Sequence, residues 1–333
     1  MRVSVIGAGS WGTTLAAHAC RLGHETLLWI WENDLRLEMQ ATWENRTYLP
    51  GFQLPRQIEF TSNLSGAAQH AQLVLLAVPS HLVRDIAMRL KPDMRQGTTI
   101  VSATKGIENE TQLRMTQVLK EVLELPDSAV LALSGPSFAV EVMRGEPTTI
   151  ALACADPETG RPFQQALSGR NIRLYLNTDM IGTELGGAVK NVIAIAAGVL
   201  AGLGHGANAT AALITRGLAE IRRLTIAAGG RPETLAGLAG LGDLVLTCTG
   251  QLSRNRQVGI ELGKGRRLSE ILAGMNMVAE GVKTAHSTCQ LASRLGVELP
   301  IVEQTHAILY ENVSARDAVQ TLMERELKQE EWR

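Results

Sequence analysis

A run of strand character, Arg2–Ile6, leads straight into Gly7-Ala8-Gly9-Ser10-Trp11-Gly12 and then into a helical window, Trp11–Leu22. This junction constrains the fold more than any other stretch. A G-x-G-x-x-G between a strand and a helix uses its first glycine for a tight turn. The second lets backbone approach a pyrophosphate, and the third lets the helix pack closely on the strand. The helix N-terminus then offers unpaired N–H groups and a partial positive charge. The turn predicts a dinucleotide site at Gly7, Gly9 and Gly12. Glu32 lies 20 residues beyond Gly12, where the second strand-like run ends. An acid there accepts from the adenosine ribose 2′-OH and repels a 2′-phosphate, which favours NAD. The alternative for Glu32 is an ordinary exposed acid beside Asn33-Asp34.

The rest of the first half keeps the same rhythm. Strand character recurs at Glu25–Ile30, Gln72–Val78, Thr98–Ala103, Ala129–Leu133, Thr148–Ala153 and Ile172–Leu176. Helical windows such as 82–90, 112–124 and 157–167 lie between them. Near-continuous apolar strands alternating with helices predict a doubly wound parallel sheet covered on both faces. After Asn177 the strand signal fades into Ala/Leu/Gly-rich helical periodicity, broken by Gly229-Gly230, by a turn at Gly240/Gly242 and by Pro300. The expected organisation is a Rossmann-type α/β domain over residues 1–177 and an all-helical domain over 178–333. The charge-dense tail 324–333 is expected to fray.

Composition narrows the function classes. With 333 residues, 45 % hydrophobic and 20 % charged, the chain can bury a sizeable core without staples. Thirty-two basic residues against 33 acidic ones leave a formal net charge of −1, and aromatics are 4 %. Such a balance supplies no general field for nucleic acid or anionic membrane, so any anion site is local. Cys20, Cys154, Cys248 and Cys289 form no CxxC pair, which suits reduced thiols in the cytoplasm. The N-terminus carries no leader-like apolar region. The uncharged run Val192–Gly204 is 13 residues long with three glycines. It is shorter than the ~20 residues of a membrane span and reads as a buried, closely packed helix.

Several residues have the character needed for chemistry. Lys190, in Gly187-Ala188-Val189-Lys190-Asn191, stands at the head of that uncharged run. Burial and a neighbouring cation would bring its pKa towards values useful for acid–base work. Lys105, in Thr104-Lys105-Gly106, follows a strand and would reach the carboxyl edge of the sheet, where such folds bind ligands. Snorkelling to solvent is the alternative for both lysines. Ser134-Gly135-Pro136-Ser137-Phe138-Ala139 is a small-residue loop after a strand, fit to hold a polar substrate or to cap a helix. Gly240-Leu241-Gly242-Asp243 sets an acid on a tight turn, and Ser253-Arg254-Asn255 offers a planar fork suited to phosphate. The seven histidines form no metal-binding or triad-like spacing, so no metal is expected.

Taken together, these blocks resemble the bacterial NAD(P)-dependent glycerol-3-phosphate dehydrogenases. So do Tyr48-Leu49-Pro50-Gly51, Asn208 through Glu220, and Val278-Ala279-Glu280-Gly281. The resemblance runs in order along nearly the whole chain. It implies an oxidoreductase that reduces dihydroxyacetone phosphate to sn-glycerol 3-phosphate for glycerophospholipid synthesis. It places the general acid–base lysine on Lys190. Substrate contacts fall on Lys105, Gly135, Ser137, Asp243, Ser253, Arg254 and Asn255. Cofactor contacts fall on Ser10, Trp11, Lys105, Ala139, Arg254, Val278 and Glu280. One departure concerns the cofactor. The family often carries Trp-x-Arg or Trp-x-His after the second strand, whereas this chain reads Trp29-Ile30-Trp31-Glu32. Trp31 in the basic position leaves no evident cation for a 2′-phosphate, so NADH is expected ahead of NADPH. The competing readings are a related two-domain dehydrogenase acting on a hydroxy acid or sugar acid, and a dinucleotide-binding sensor without turnover. A small phosphate substrate, no nucleic acid, no membrane insertion, a homodimer and a cytoplasmic location complete the expectations.

Overall fold

In the computed structural model, which describes residues 1–275, 278–327 and 329–330, eight strands form one sheet. They are β1 (Arg2–Ile6), β2 (Glu25–Trp29), β3 (Glu59–Thr61), β4 (Leu73–Leu76), β5 (Thr99–Ser102), β6 (Val130–Ser134), β7 (Thr148–Ala153) and β8 (Ile172–Asn177). Their order is β3-β2-β1-β4-β5-β6-β7-β8. Seven strands fall where the sequence places them. The three-residue edge strand β3 is too short to leave a periodic signal, and it pairs only with β2. Helices α1 (Ser10–Arg21), α2 (Asn33–Thr42), α3 (Leu64–His70), α4 (Val83–Leu90), α5 (Met115–Leu123), α6 (Ala139–Met143) and α7 (Pro157–Leu167) connect the strands.

The expectation of a parallel sheet needs one correction. β6 and β7 pair antiparallel, and β8 then runs parallel to β7. The connection from Ser134 to Thr148 contains only the five-residue α6. That helix rises about 8 Å, while a five-residue strand spans about 17 Å. The chain therefore turns back beside β6 instead of crossing over for a parallel return.

This reversal decides where the catalytic-looking lysine falls. β8 ends at the edge where β6 begins, and the long helix α8 (Met180–Gly202) starts there, with Val130 and Met180 in one recess. Ten helical residues, about 15 Å, bring Lys190 to the opposite, carboxyl edge. Lys190 thus lies in the middle of a helix, not at its head as the uncharged run suggests. Among the described residues every further element is helical: α9 (Ala207–Ala227), α10 (Asp243–Thr249), α11 (Arg254–Gly263), α12 (Leu268–Ala273), α13 (Glu280–Leu295), α14 (Pro300–Tyr310) and α15 (Ala315–Met323). The expected tight turn at Gly240/Gly242 is instead a π-helical segment, Leu238–Gly242, running directly into α10. Of the tail, residues 328 and 331–333 lie outside the described residues.

α8 passes the length and composition test for crossing a membrane, yet 83 % of its apolar window is buried inside the protein. It is the central core helix, and its glycines explain how neighbours approach it. A Cβ on Gly198 would lie 2.1 Å from the Arg256 carbonyl oxygen, and one on Gly202 would lie 2.3 Å from that of Ile260. Reciprocally, a Cβ on Gly259 would lie 1.9 Å from the Ile195 oxygen. One on Gly263 would lie 2.5 Å from the Val199 oxygen, so the pairs Gly198/Gly202 and Gly259/Gly263, each spaced by four, let α8 and α11 touch backbone to backbone. Gly198→Ala gains about 1 kcal/mol in helix propensity, but overpacking a contact this tight costs about 3 kcal/mol. A net loss of about 2 kcal/mol should lower the thermal midpoint by about 3 °C. Gly206→Ala, with nothing within 4 Å of the new methyl, is the control and should cost only the roughly 0.5 kcal/mol of placing alanine at the N-cap of α9.

Candidate active site

The loops after β1, β4, β5 and β6 all open at the carboxyl edge, where the sheet order reverses between β1 and β4. Gly7 has φ +111°, and a Cβ there would lie 2.7 Å from the Ala77 oxygen, so glycine alone fits. A Cβ on Gly12 would strike the Gly7 carbonyl oxygen at 1.8 Å, which keeps α1 tight on its strand. Gly9 has nothing within 4 Å of that position: its bare face borders the open cleft. These three environments fit a pyrophosphate lying across the turn. The loop at Tyr48 braces the turn from behind. Asn45 donates to the Ala8 oxygen (2.8 Å), and Ser10 Oγ donates to the Tyr48 oxygen (2.5 Å). The Tyr48 hydroxyl donates to Glu32 Oε1 (3.1 Å). Glu32 is exposed, and this hydrogen bond holds its carboxylate at the mouth of the cleft just beyond β2.

Beyond the turn, two lysines share one carboxylate. Lys190 Nζ lies 2.6 Å from Asp243 Oδ1, and Lys105 Nζ lies 2.6 Å from Asp243 Oδ2. Lys190 also donates to Thr247 Oγ1 (2.6 Å), and Lys105 to the Gly135 oxygen (3.1 Å). Asp243 is 1 % exposed and Lys190 5 %. Burial pulls Lys190 down to about 8; Asp243 opposes this and Lys105 reinforces it. Close approaches put these groups together. A Cβ on Gly186 would lie 2.6 Å from the Ala239 oxygen, and one on Gly187 would lie 2.3 Å from Ser134 Oγ. α8 therefore lies directly against β6 one turn before Lys190. Thr247, four residues after Asp243 on α10, also donates to the Asp243 backbone oxygen (2.7 Å).

The far wall comes from α11 and α13. Ser253 caps α11 by accepting from the Arg256 N–H (3.3 Å). Arg254 Nη1 donates to the Val278 oxygen (3.0 Å). Asn255 donates to Asn191 Oδ1 (3.0 Å) and accepts from the Gly281 N–H (2.9 Å), tying α8, α11 and α13 together. Glu280 reaches back to the sheet, accepting from the Ser80 backbone N–H (3.1 Å) and Ser80 Oγ (2.6 Å).

One cleft of about 580 Å³ gathers most of the predicted residues. Gly7, Gly9, Ser10, Trp11, Trp31, Lys105, Ser137, Lys190, Ser253, Arg254, Asn255, Val278 and Glu280 line it. Four do not. Gly12 packs on Gly7, Asp243 is enclosed by its lysines, and Ala139 packs on the sheet core. Gly135 presents its oxygen to Lys105 and Ser137, while Ser137 stops short of capping α6, which begins after Phe138. Thr247, Asn191 and Tyr48 also line the cleft; the last two stand in blocks quoted for the resemblance, but the sequence reading assigns none of the three a role. The spacing from Asp243 to Thr247 was the available signal for one of them. The absence of a cation near Trp31 also needs correction: the Arg89 guanidinium carbon lies 4.9 Å from the centre of its ring. Fifty-eight residues separate the two, so no local pattern shows it.

A dinucleotide turn, two lysines on one buried acid and an arginine facing them define the framework of a nucleotide-dependent oxidoreductase. The model of the NAD-dependent glycerol-3-phosphate dehydrogenase N-terminus matches residues 2–160, and that of the C-terminus matches residues 179–320. The glycerol-3-phosphate dehydrogenase [NAD(P)+] of Citrifermentans bemidjiense is 53 % identical over 330 residues, 99 % of this chain and 98 % of its own. That of Syntrophotalea carbinolica is 51 % identical over 99 % of both chains. The crystal structure of glycerol-3-phosphate dehydrogenase from Coxiella burnetii superposes with a TM-score of 0.93 at 40 % identity, covering 97 % of this chain and 98 % of that one. The chain belongs to the NAD-dependent glycerol-3-phosphate dehydrogenase family. A ketopantoate reductase from Ralstonia eutropha, 16 % identical with a TM-score of 0.63 over 96 % of this chain and 100 % of its own, shares the fold alone.

Proposed function

We propose that this protein reduces dihydroxyacetone phosphate to sn-glycerol 3-phosphate with NAD(P)H, supplying the backbone for glycerophospholipids. The observation that carries the reading is the pair of lysines on Asp243 at the inner end of a dinucleotide cleft, with Arg254 on the opposite wall. The reduced cofactor supplies a hydride to the C2 carbonyl. Lys190 delivers the proton to the carbonyl oxygen, where negative charge develops, and Lys105 holds that oxygen and stabilises the charge. Asp243 fixes both ammonium groups at 2.6 Å. Arg254 grips the phosphate, with Ser253, Asn255, Ser137 and the Gly135 loop shaping the rest of the substrate site. Gly7, Gly9, Ser10, Trp11 and Gly12 hold the pyrophosphate region, and Trp31, Ala139, Val278 and Glu280 complete the cofactor contacts.

Residues 1–177 act as the nucleotide domain and residues 178–333 as the substrate domain. This division is supported by separate apolar cores: two sandwich the sheet, and the third is built from residues after Gly182 joined by Ile107. A cytoplasmic location suits four free cysteines, and a two-fold dimer suits the commonest oligomer symmetry.

The test is steady-state oxidation of the reduced nicotinamide with dihydroxyacetone phosphate, unphosphorylated dihydroxyacetone and a 2-keto acid in parallel. kcat/KM should be highest by at least about 10² for the phosphate ester, since the other two bring no phosphate to the Arg254 fork. Equal turnover of the 2-keto acid would transfer the protein to the hydroxy-acid dehydrogenases. Glu32 further predicts a higher kcat/KM with NADH than with NADPH, and the reverse order would remove its role.

A further inference from the structure

Beside the adenosine end of the cleft, stacked on the lining residue Trp31, stands a cation that the sequence around β2 does not supply. Trp31 is 63 % exposed at the end of β2, and it lines the cleft together with Glu32, Leu82, Asp85 and Ile86. Three of these belong to α4 or the turn before it, so α4 forms the wall facing the end of β2. Arg89, one turn beyond Asp85, lays its guanidinium over the Trp31 ring at 4.9 Å. Trp29 meets the same indole edge-on, with centroids 5.9 Å apart.

Apart from this stack, Arg89 faces one carboxylate: Asp85 Oδ2 lies 3.8 Å from Nη1, with the two side chains 42 % and 61 % exposed. An exposed pair that long holds its cation weakly. The planar fork is thus positioned by the indole yet free to exchange Asp85 for a stronger anion, and a phosphate matches its geometry. The anion that belongs at the end of the second strand of such a fold is a ribose 2′-phosphate.

We propose that Arg89, held on Trp31, is the recognition cation for the 2′-phosphate of NADP(H). Trp31 occupies the position of a basic residue and performs its task at second hand, as the platform for an arginine from α4. Glu32 repels the 2′-phosphate and Arg89 attracts it, so the cleft admits both cofactors and favours NADH. This rests on the dinucleotide cleft proposed above, and the test separates the two.

The experiment is titration calorimetry with ADP-ribose and with 2′-phospho-ADP-ribose, which lack the nicotinamide and report binding without turnover. Arg89→Met keeps much of the apolar stem on Trp31 and removes the charge. It should weaken 2′-phospho-ADP-ribose by about tenfold or more and move ADP-ribose by less than about twofold. Trp31→Leu should likewise weaken the phosphorylated ligand more than the other. In the wild type, raising ionic strength should weaken the phosphorylated ligand more steeply. Equal weakening of both ligands by Arg89→Met would make Arg89 merely a support for the adenine wall. No weakening, or a wild type that binds ADP-ribose alone, would overturn the proposal outright. A wild type that binds neither ligand would instead remove the dinucleotide reading of the cleft.

Discussion

Lys190→Ala should lower kcat for reduction of dihydroxyacetone phosphate by about 10² or more, the usual scale for loss of a general acid. The remaining cation, Lys105, still meets the developing oxyanion, so activity falls without disappearing. KM should change less than kcat, because Arg254 and its neighbours keep hold of the phosphate. Burial sets Lys190 at about 8, and this fixes a sign. Reduction consumes the protonated amine, so kcat in that direction should decline as pH rises through about 8. Oxidation of glycerol 3-phosphate needs the neutral amine and should rise over the same interval. Both limbs should vanish in the Lys190→Ala enzyme. Stability carries a sign of its own. The folded-state pKa lies below the ordinary lysine value of 10.5, so between about 8 and 10.5 the unfolded chain binds the extra proton. Over that window the Lys190 contribution makes the fold more stable as pH rises.

Asp243→Asn should be nearly as damaging for a different reason. The carboxylate holds one ammonium on each oxygen and is almost completely buried. An amide keeps the shape but supplies one acceptor, so one lysine loses its anchor. Two like charges then face each other without a negative neighbour. Because Asp243 opposes the fall in the Lys190 pKa, its removal should move the alkaline decline of kcat to lower pH. A loss of about 10² in kcat together with that acid shift is expected. Asp243→Ala adds the cost of breaking a buried ion pair, about 3–5 kcal/mol, visible as a lower unfolding midpoint. A variant that keeps both its turnover and its pH profile would show that Asp243 merely fills space.

The legible parts of this molecule are those whose cause is local. The Gly7–Gly12 turn and the apolar strands each follow from neighbouring residues, and the structure places them accordingly; the uncharged run is helical as read, but its helix starts earlier and spans Met180–Gly202. What escaped depends on contacts across the chain. Lys105 and Asp243 are 138 residues apart, and no spacing rule brings them to 2.6 Å. Arg89 meets Trp31 only because α4 and the residues just after β2 line one cleft, which local propensity does not encode. The antiparallel β6–β7 pair follows from the short connection between them, a length visible in the sequence but overridden by the βαβ rhythm around it. That reversal in turn moves Lys190 from the head of a helix to its middle. Tyr48 stands in a block quoted for the resemblance and Thr247 lies one helical turn after Asp243, but the role of each emerges only once its partner, Glu32 or Lys190, is placed.

The most direct measurement follows the absorbance of NADH on mixing with dihydroxyacetone phosphate, using wild-type protein and Lys190→Ala side by side. Rapid oxidation by the wild type and a rate at least about 10² lower in the variant are predicted. A wild type that binds NADH without oxidising it, or a variant as fast as the wild type, would contradict the account.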